Sequence, residues 1–105
     1  MSQIPNRLPK KEFESRMFKF ARTPYFSLRA KRNNLQKRRV GVIVGKAVHK
    51  SAVKRNFWRR QAKMVSADLI MPGNDFLIIF FPKVNELTKQ EFRRALTKAA
   101  ATIRL

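Results

Sequence analysis

Between Lys50 and Met64 the chain reads KSAVKRNFWRRQAKM, and the spacing of its cations is suited to holding phosphate. On a helix advancing about 100° per residue, Arg55, Arg59, Lys63, Asn56 and Arg60 fall within an arc of roughly 140°. Val53, Phe57, Trp58, Gln61, Met64 and Val65 take the opposite side. Guanidinium and ammonium groups with no carboxylate among them bind phosphate, and an amide beside them adds a directional hydrogen bond to a base edge or a metal-bound water. An ordinary solvated charged face would carry Glu and Asp interspersed at i,i+4. None occurs between Glu14 and Asp68. The stretch reads as a polyphosphate-binding helix.

Catalytic groups are scarce by comparison. His49 is the only histidine, and no acid lies near it in sequence to orient it as a general base. It reads as a loop histidine beside a polyanion. Asp68, Asp75, Glu86 and Glu91 lack a metal-ligand spacing, and there is no Gly-rich phosphate loop. With no cysteine, neither a disulfide nor a Cys-based zinc site is available. These residues describe a binding protein, with no self-sufficient active site.

Charge says where a partner should lie. The 105 residues carry a formal net charge of +19. Residues 1–60 hold 18 Lys and Arg against two acids, whereas residues 61–105 hold 7 against 4. Self-repulsion of that size is tolerable when a polyanion is the normal partner, so the partner is expected against the first sixty residues. A hydrophobic fraction of 44% suits a folded chain, read as one polyanion-binding domain over 1–105 with 1–8 as a loose start. No apolar run is long enough to span a membrane and no signal-peptide core is present, so the expected compartment is the cytoplasm, with no membrane partner.

Elements to position these residues can be read in order. Pro9 suits a first helical turn, and a helix to about Phe20 would place Phe13, Met17 and Phe20 on one stripe before Thr23-Pro24 stops it. Pro24 to Arg32 reads as a strand, followed by a turn at Asn33-Asn34. A β-branched strand runs from Val40 to Gly45, Lys46 to Lys50 connects, and Ser51 stands near the start of the basic helix, which ends by Leu69 before Pro72-Gly73-Asn74. Phe76 to Phe81 is apolar on both faces, as in a central strand. Thr88 and Glu91 form a capping box for a last helix carrying Phe92, Leu96, Ala99 and Ile103 on one side. The class is α+β, a small sandwich in the order α-β-β-β-α-β-α.

The strand Arg39-Val40-Gly41-Val42-Ile43-Val44, then Gly45-Lys46, then Lys50-Ser51-Ala52-Val53-Lys54-Arg55-Asn56 and Arg59-Arg60, closely resembles the bacterial ribonuclease P protein subunit. Asn74 to Ile79 with Glu86-Leu87-Thr88 is similar to that family's last strand and helix entry, so the likeness spans roughly residues 8–105. Phe57 stands where the family usually has a basic residue, and Arg59 and Lys63 are placed to supply that charge. The resemblance implies a left-handed β-α-β crossover through the basic helix. It also implies Mg²⁺ chemistry carried by an RNA subunit, with ribonuclease P RNA and precursor tRNA as partners and no protein partner. By carry-over, Arg55, Asn56, Arg59 and Arg60 would contact the catalytic RNA, flanked by Lys46, Lys50, Lys54 and Lys63. Phe13, Met17 and Phe26 would line a cleft for the 5′ leader. A ribosomal protein, or a general RNA-binding structural protein, is the competing reading.

Overall fold

Phe76–Phe80 is apolar throughout, and this run becomes the centre of a five-stranded sheet because both of its faces are covered. The computed structural model describes residues 5–103 and 105. Its strands are β1 (Asn6–Arg7), β2 (Lys19–Arg22), β3 (Phe26–Arg32), β4 (Arg39–Ile43) and β5 (Asn74–Phe80), and its helices are α1 (Ala52–Leu69) and α2 (Lys89–Thr102). The spatial order is β1-β4-β5-β3-β2. β4 and β5 are parallel neighbours joined by α1, and β3 lies antiparallel on the other side of β5. The α+β class is as expected.

Register divides the sheet residues between two faces. On the first face Val40, Phe76 and Ala30 form one row, Val42, Ile78 and Leu28 the next, and Phe80 with Phe26 a third. α1 and α2 pack here through Trp58, Ala62 and Val65 and through Phe92, Leu96 and Ala99. Edge-to-face aromatic contacts close this core, with Phe92 5.5 Å from both Phe26 and Trp58. Ser51 caps α1 by accepting from the Lys54 N–H, and Thr88 and Glu91 form the expected reciprocal box on α2. At the turn into β5, Gly73 has φ +86°, which a side chain would strain.

From Pro24 onward the elements follow the expected order with two strands, β3 and β4, before α1; the third strand of that order is β2, which lies ahead of Pro24. The first segment does not follow it. Instead of a helix over 9–20 there is one 3-10 turn at Lys10–Glu12, and then β2. Helical spacing of Phe13, Met17 and Phe20 lost to two non-local demands: the free edge of β3, which takes Phe20 opposite Arg29, and buried cations that hold Glu12. Asn6–Arg7 pair with β4 and Leu8 is fully buried, so the loose start does not reach residue 8; residues 1–4 lie outside the described residues. On α1, Val53 and Met64 were expected on the packed side, yet they are 78% and 56% exposed. The buried stripe is narrower, centred on Trp58, Ala62 and Val65, because the sheet and α2 together cover only that line.

Candidate nucleic-acid interface

The exposed side of α1 and the loop before it carry the predicted cations. Lys46, Lys50, Lys54, Arg60, Lys63 and Asn56 are exposed, and none of these cations has an ion-pair partner among the described residues. The first turn of α1 has no acidic residue. Its positive dipole end therefore adds to the side-chain field instead of being neutralised, which disfavours the helix slightly and favours an incoming anion.

Arg55 and Arg59 behave differently from the rest. Both are half-buried, at the edge of the packed stripe, and both hold the loop. Arg55 Nη1 donates to the carbonyls of His49 and Lys50 at 2.8 and 2.9 Å. Arg59 donates to the Val44 carbonyl at 3.3 Å and to Asn56 Oδ1 at 2.9 Å, and the Asn56 amide N–H groups have no hydrogen-bond acceptor among the described residues. His49 Nδ1 accepts from the Ser51 N–H at 3.0 Å, so the ring braces the helix entry. Asn85, which sequence reasoning passed over, ties the same loop from below. Its Nδ2 donates to the Val48 carbonyl at 2.6 Å and to that of Pro82 at 2.9 Å, and its Oδ1 accepts from Trp58 Nε1 at 3.2 Å. No local motif announces that role, because the three partners come from three separate segments.

A second surface lies on the other face of the sheet. Its rows are Arg39, Asp75 and Lys31; then Gly41, Leu77, Arg29 and Phe20; then Ile43, Ile79, Ser27 and Arg22. Residues 9–18 cross this face from the β1 edge to the β2 edge, four strand spacings or about 19 Å. The Phe13 ring lies directly over Gly41, and a Cβ there would stand 2.7 Å from Phe13 Cε1. Below this crossing runs an open groove lined by Arg16, Phe18, Phe20, Arg22 and Arg29, with Ser27 in its floor. Of the three residues expected to line a cleft, Phe13 and Met17 belong to the crossing segment, and Met17 is 76% exposed. Phe26 does not belong. It has no exposed surface and packs on Phe80 and Phe92 under the helices, because its place in β3 turns it to the first face. Phe20, 70% exposed and flanked by arginines, takes its place. The alternation Phe18, Phe20, Arg22 was the available signal, a period of two inside a stretch read at 3.6.

The Glu12 and Asp75 carboxylates on this face are occupied by protein cations. Lys31 Nζ lies 2.9 Å from Asp75 and 3.1 Å from Glu12, and Arg39 reaches the same two acids. Burial pushes the Asp75 carboxyl up, but hydrogen bonds from Arg39, Asn33 and Lys31 outweigh it and hold it below its usual value. The Lys31 hydrogen bond lowers Glu12 as well. Burial alone would lower Lys31; its bonds to Asp75 and Glu12 more than offset this and raise it.

A family model described as ribonuclease P matches residues 8–104. The chain belongs to the ribonuclease P protein family. Ribonuclease P protein components of Aliivibrio salmonicida and Vibrio vulnificus are each 31% identical to it over 80 residues, 74% of this chain and 68% of theirs. The fold is that of the RNase P protein from Thermotoga maritima, with TM-score 0.78 and 20% identity over 95% of this chain and 99% of that one. The Staphylococcus aureus RNase P protein gives TM-score 0.79 at 17% identity, covering 94% of each. Family membership makes this chain a component of a tRNA-processing ribonuclease and implies an RNA partner. Among the described residues no helix is long and apolar enough to cross a membrane.

Proposed function

We propose that the chain is the protein subunit of a cytoplasmic ribonuclease P particle, promoting endonucleolytic 5′ maturation of precursor tRNA. α1 and the Lys46–Lys50 loop bind the catalytic RNA: Arg60, Lys63, Lys46, Lys50 and Lys54 neutralise phosphates, and Asn56 supplies a directional contact. Arg55 and Arg59 share their donors between the loop carbonyls and the RNA. The groove on the second sheet face holds the single-stranded 5′ leader. Phe20, Phe13 and Met17 offer apolar surface to bases, and Arg16, Arg22 and Arg29 track the backbone, a combination that tolerates any sequence.

The observation that carries this reading is the separation of two cationic surfaces, one a helix face and one an aromatic-bearing groove. A double contact of that kind suits a folded RNA on one side and a single strand on the other. Bond cleavage is assigned to the RNA with Mg²⁺, which supplies the charge needed to activate water and stabilise the leaving oxygen. This chain is poorly fitted to hold that ion. Among its described residues no three His, Asp or Glu converge, and Asp75 and Glu12 are already taken by Lys31 and Arg39.

The test combines the protein with a transcribed bacterial ribonuclease P RNA and a leader-bearing precursor tRNA at low Mg²⁺. Protein-dependent cleavage at the mature 5′ end, absent without the RNA, is the expected result. No stimulation with a folded protein and several such RNAs would overturn it and favour a ribosomal or general RNA-binding role.

A further inference from the structure

The segment that walls the groove is fastened at few points. Residues 9–18 contain one 3-10 turn and no strand pairing, between a backbone anchor at Leu8, whose N–H donates to Val40, and the pairing of β2 with β3. Between those anchors three side chains hold it to the sheet. Glu12 bridges Lys31 at 3.1 Å and Arg39 at 3.4 Å. Phe13 seats on Gly41, and the Phe18 ring lies 5.6 Å from the Lys31 ammonium. Beneath, Asp75 locks both cations in place, so the Glu12 carboxylate meets a rigid pair of charges.

We infer that residues 9–18 act as a strap whose seating sets the width of the single-strand groove, with Glu12 as its latch and Gly41 as its seat. Both are positioning residues: neither lines the groove, yet Arg16, Met17 and Phe18 follow Glu12 within a few residues, and Gly41 seats Phe13 just ahead of them. Releasing Glu12 frees the strap at its middle. A methyl group on Gly41 would stand 2.7 Å from the far end of the Phe13 ring and 3.2 Å from Leu77 Cδ1, so it pushes Phe13 outward with only a small shift of Leu77, and neither contact belongs to the ion pairs. The groove then loses its wall while α1 and its loop, on the other side of the sheet, stay as they are.

This inference rests on the leader reading of the groove, and the experiment separates the two. The reconstituted particle is given precursor tRNA with a leader and with the leader removed, and the ratio of the two KM values is measured for wild type, Glu12→Gln, Glu12→Asp and Gly41→Ala. Hydrogen exchange at residues 9–18 and the affinity for the RNA subunit are recorded alongside. The expected result for Glu12→Gln and Gly41→Ala is faster exchange and a leader preference reduced about tenfold, within the hundredfold that a misplacement of ~1 Å can produce. Affinity for the RNA subunit stays at the wild-type value, and Glu12→Asp recovers part of the preference. Gly41→Ala keeps the test decisive should Glu12→Gln fold poorly. Faster exchange with an unchanged leader preference would overturn the strap and leave the leader reading standing. A wild-type particle with no leader preference would overturn both.

Discussion

Arg39 grips Asp75 through two parallel donors, Nε to Oδ1 and Nη2 to Oδ2, each at 2.8 Å, around a carboxylate with no exposed surface. The geometry is the bidentate fork that makes guanidinium–carboxylate pairs strong and directional. It ties β4 to β5 where both strands begin, with Lys31 and Asn33 completing the shell from β3 and its turn. Asp75→Ala leaves two largely buried cations facing each other, so chemical denaturation should show a loss of about 3–5 kcal/mol. Asp68→Ala, at the exposed pair with Arg93, should change stability by less than about 1 kcal/mol.

The same cluster gives stability a pH dependence of known sign. Asp75 and Glu12 titrate lower in the folded chain than in the unfolded one, so the unfolded state binds more protons as acid is added. Their contribution is full above about pH 4–5 and is lost as pH falls through the depressed folded values. Lys31, raised on folding, contributes below about pH 10 and is lost as pH climbs past its folded value. Urea midpoints from pH 7 down to 2 should fall, and the decline should be shallower in Glu12→Gln. An identical acid limb would remove Glu12 from the cluster's energetics.

Arg60 and Arg59 should separate in salt titrations of RNA binding. Arg60 is exposed with no ion-pair partner among the described residues, so Arg60→Ala should reduce the log–log salt slope by about 0.7–0.9 with stability unchanged. Arg59→Ala also removes the bond to the Val44 carbonyl, and should lower both affinity and melting temperature. An unaltered slope in the double variant would take α1 out of the interface.

Asn85 has no place in the RNA contact set, yet Asn85→Ala should weaken RNA binding. Loss of its bonds to Val48, Pro82 and Trp58 frees the Lys46–Lys50 loop, at a stability cost of about 1 kcal/mol. Asn85→Asp keeps the acceptor for Trp58 but not the donors, so it should bind RNA as poorly as the alanine variant. Wild-type affinity in both would show that the loop is held without it.

Phe26 and Phe20 should respond in opposite ways. Phe26→Ala empties a fully buried site and should destabilise by about 3–5 kcal/mol in thermal unfolding. Phe20→Ala should leave the melting temperature within a degree or two while weakening binding of a single-stranded oligonucleotide by about 1–3 kcal/mol, the range for one stacked base.

Local pattern was enough to reveal the later part of the chain. Ser51 and the Thr88–Glu91 box marked helix starts, the apolar run through Phe80 marked the central strand, and the carboxylate-free span from Glu14 to Asp68 marked the exposed cations of α1 and its loop. Each of these signals is carried by neighbours in sequence. What they left open was decided across the sheet. Phe13, Met17 and Phe20 fit a helix until the unpaired edge of β3 and the Lys31–Arg39 pair claimed the segment, and Phe26 looked available until strand register turned it inward. Arg55 and Arg59 were legible as cations but not as loop braces, since carbonyls at Val44, His49 and Lys50 carry no side-chain signature. By itself the sequence determined, from Pro24 onward, which segments are strand or helix, and along the whole chain where the charge lies. Which face each side chain meets, and which cations are taken by the fold and which stay exposed, depended on contacts between residues far apart in the chain.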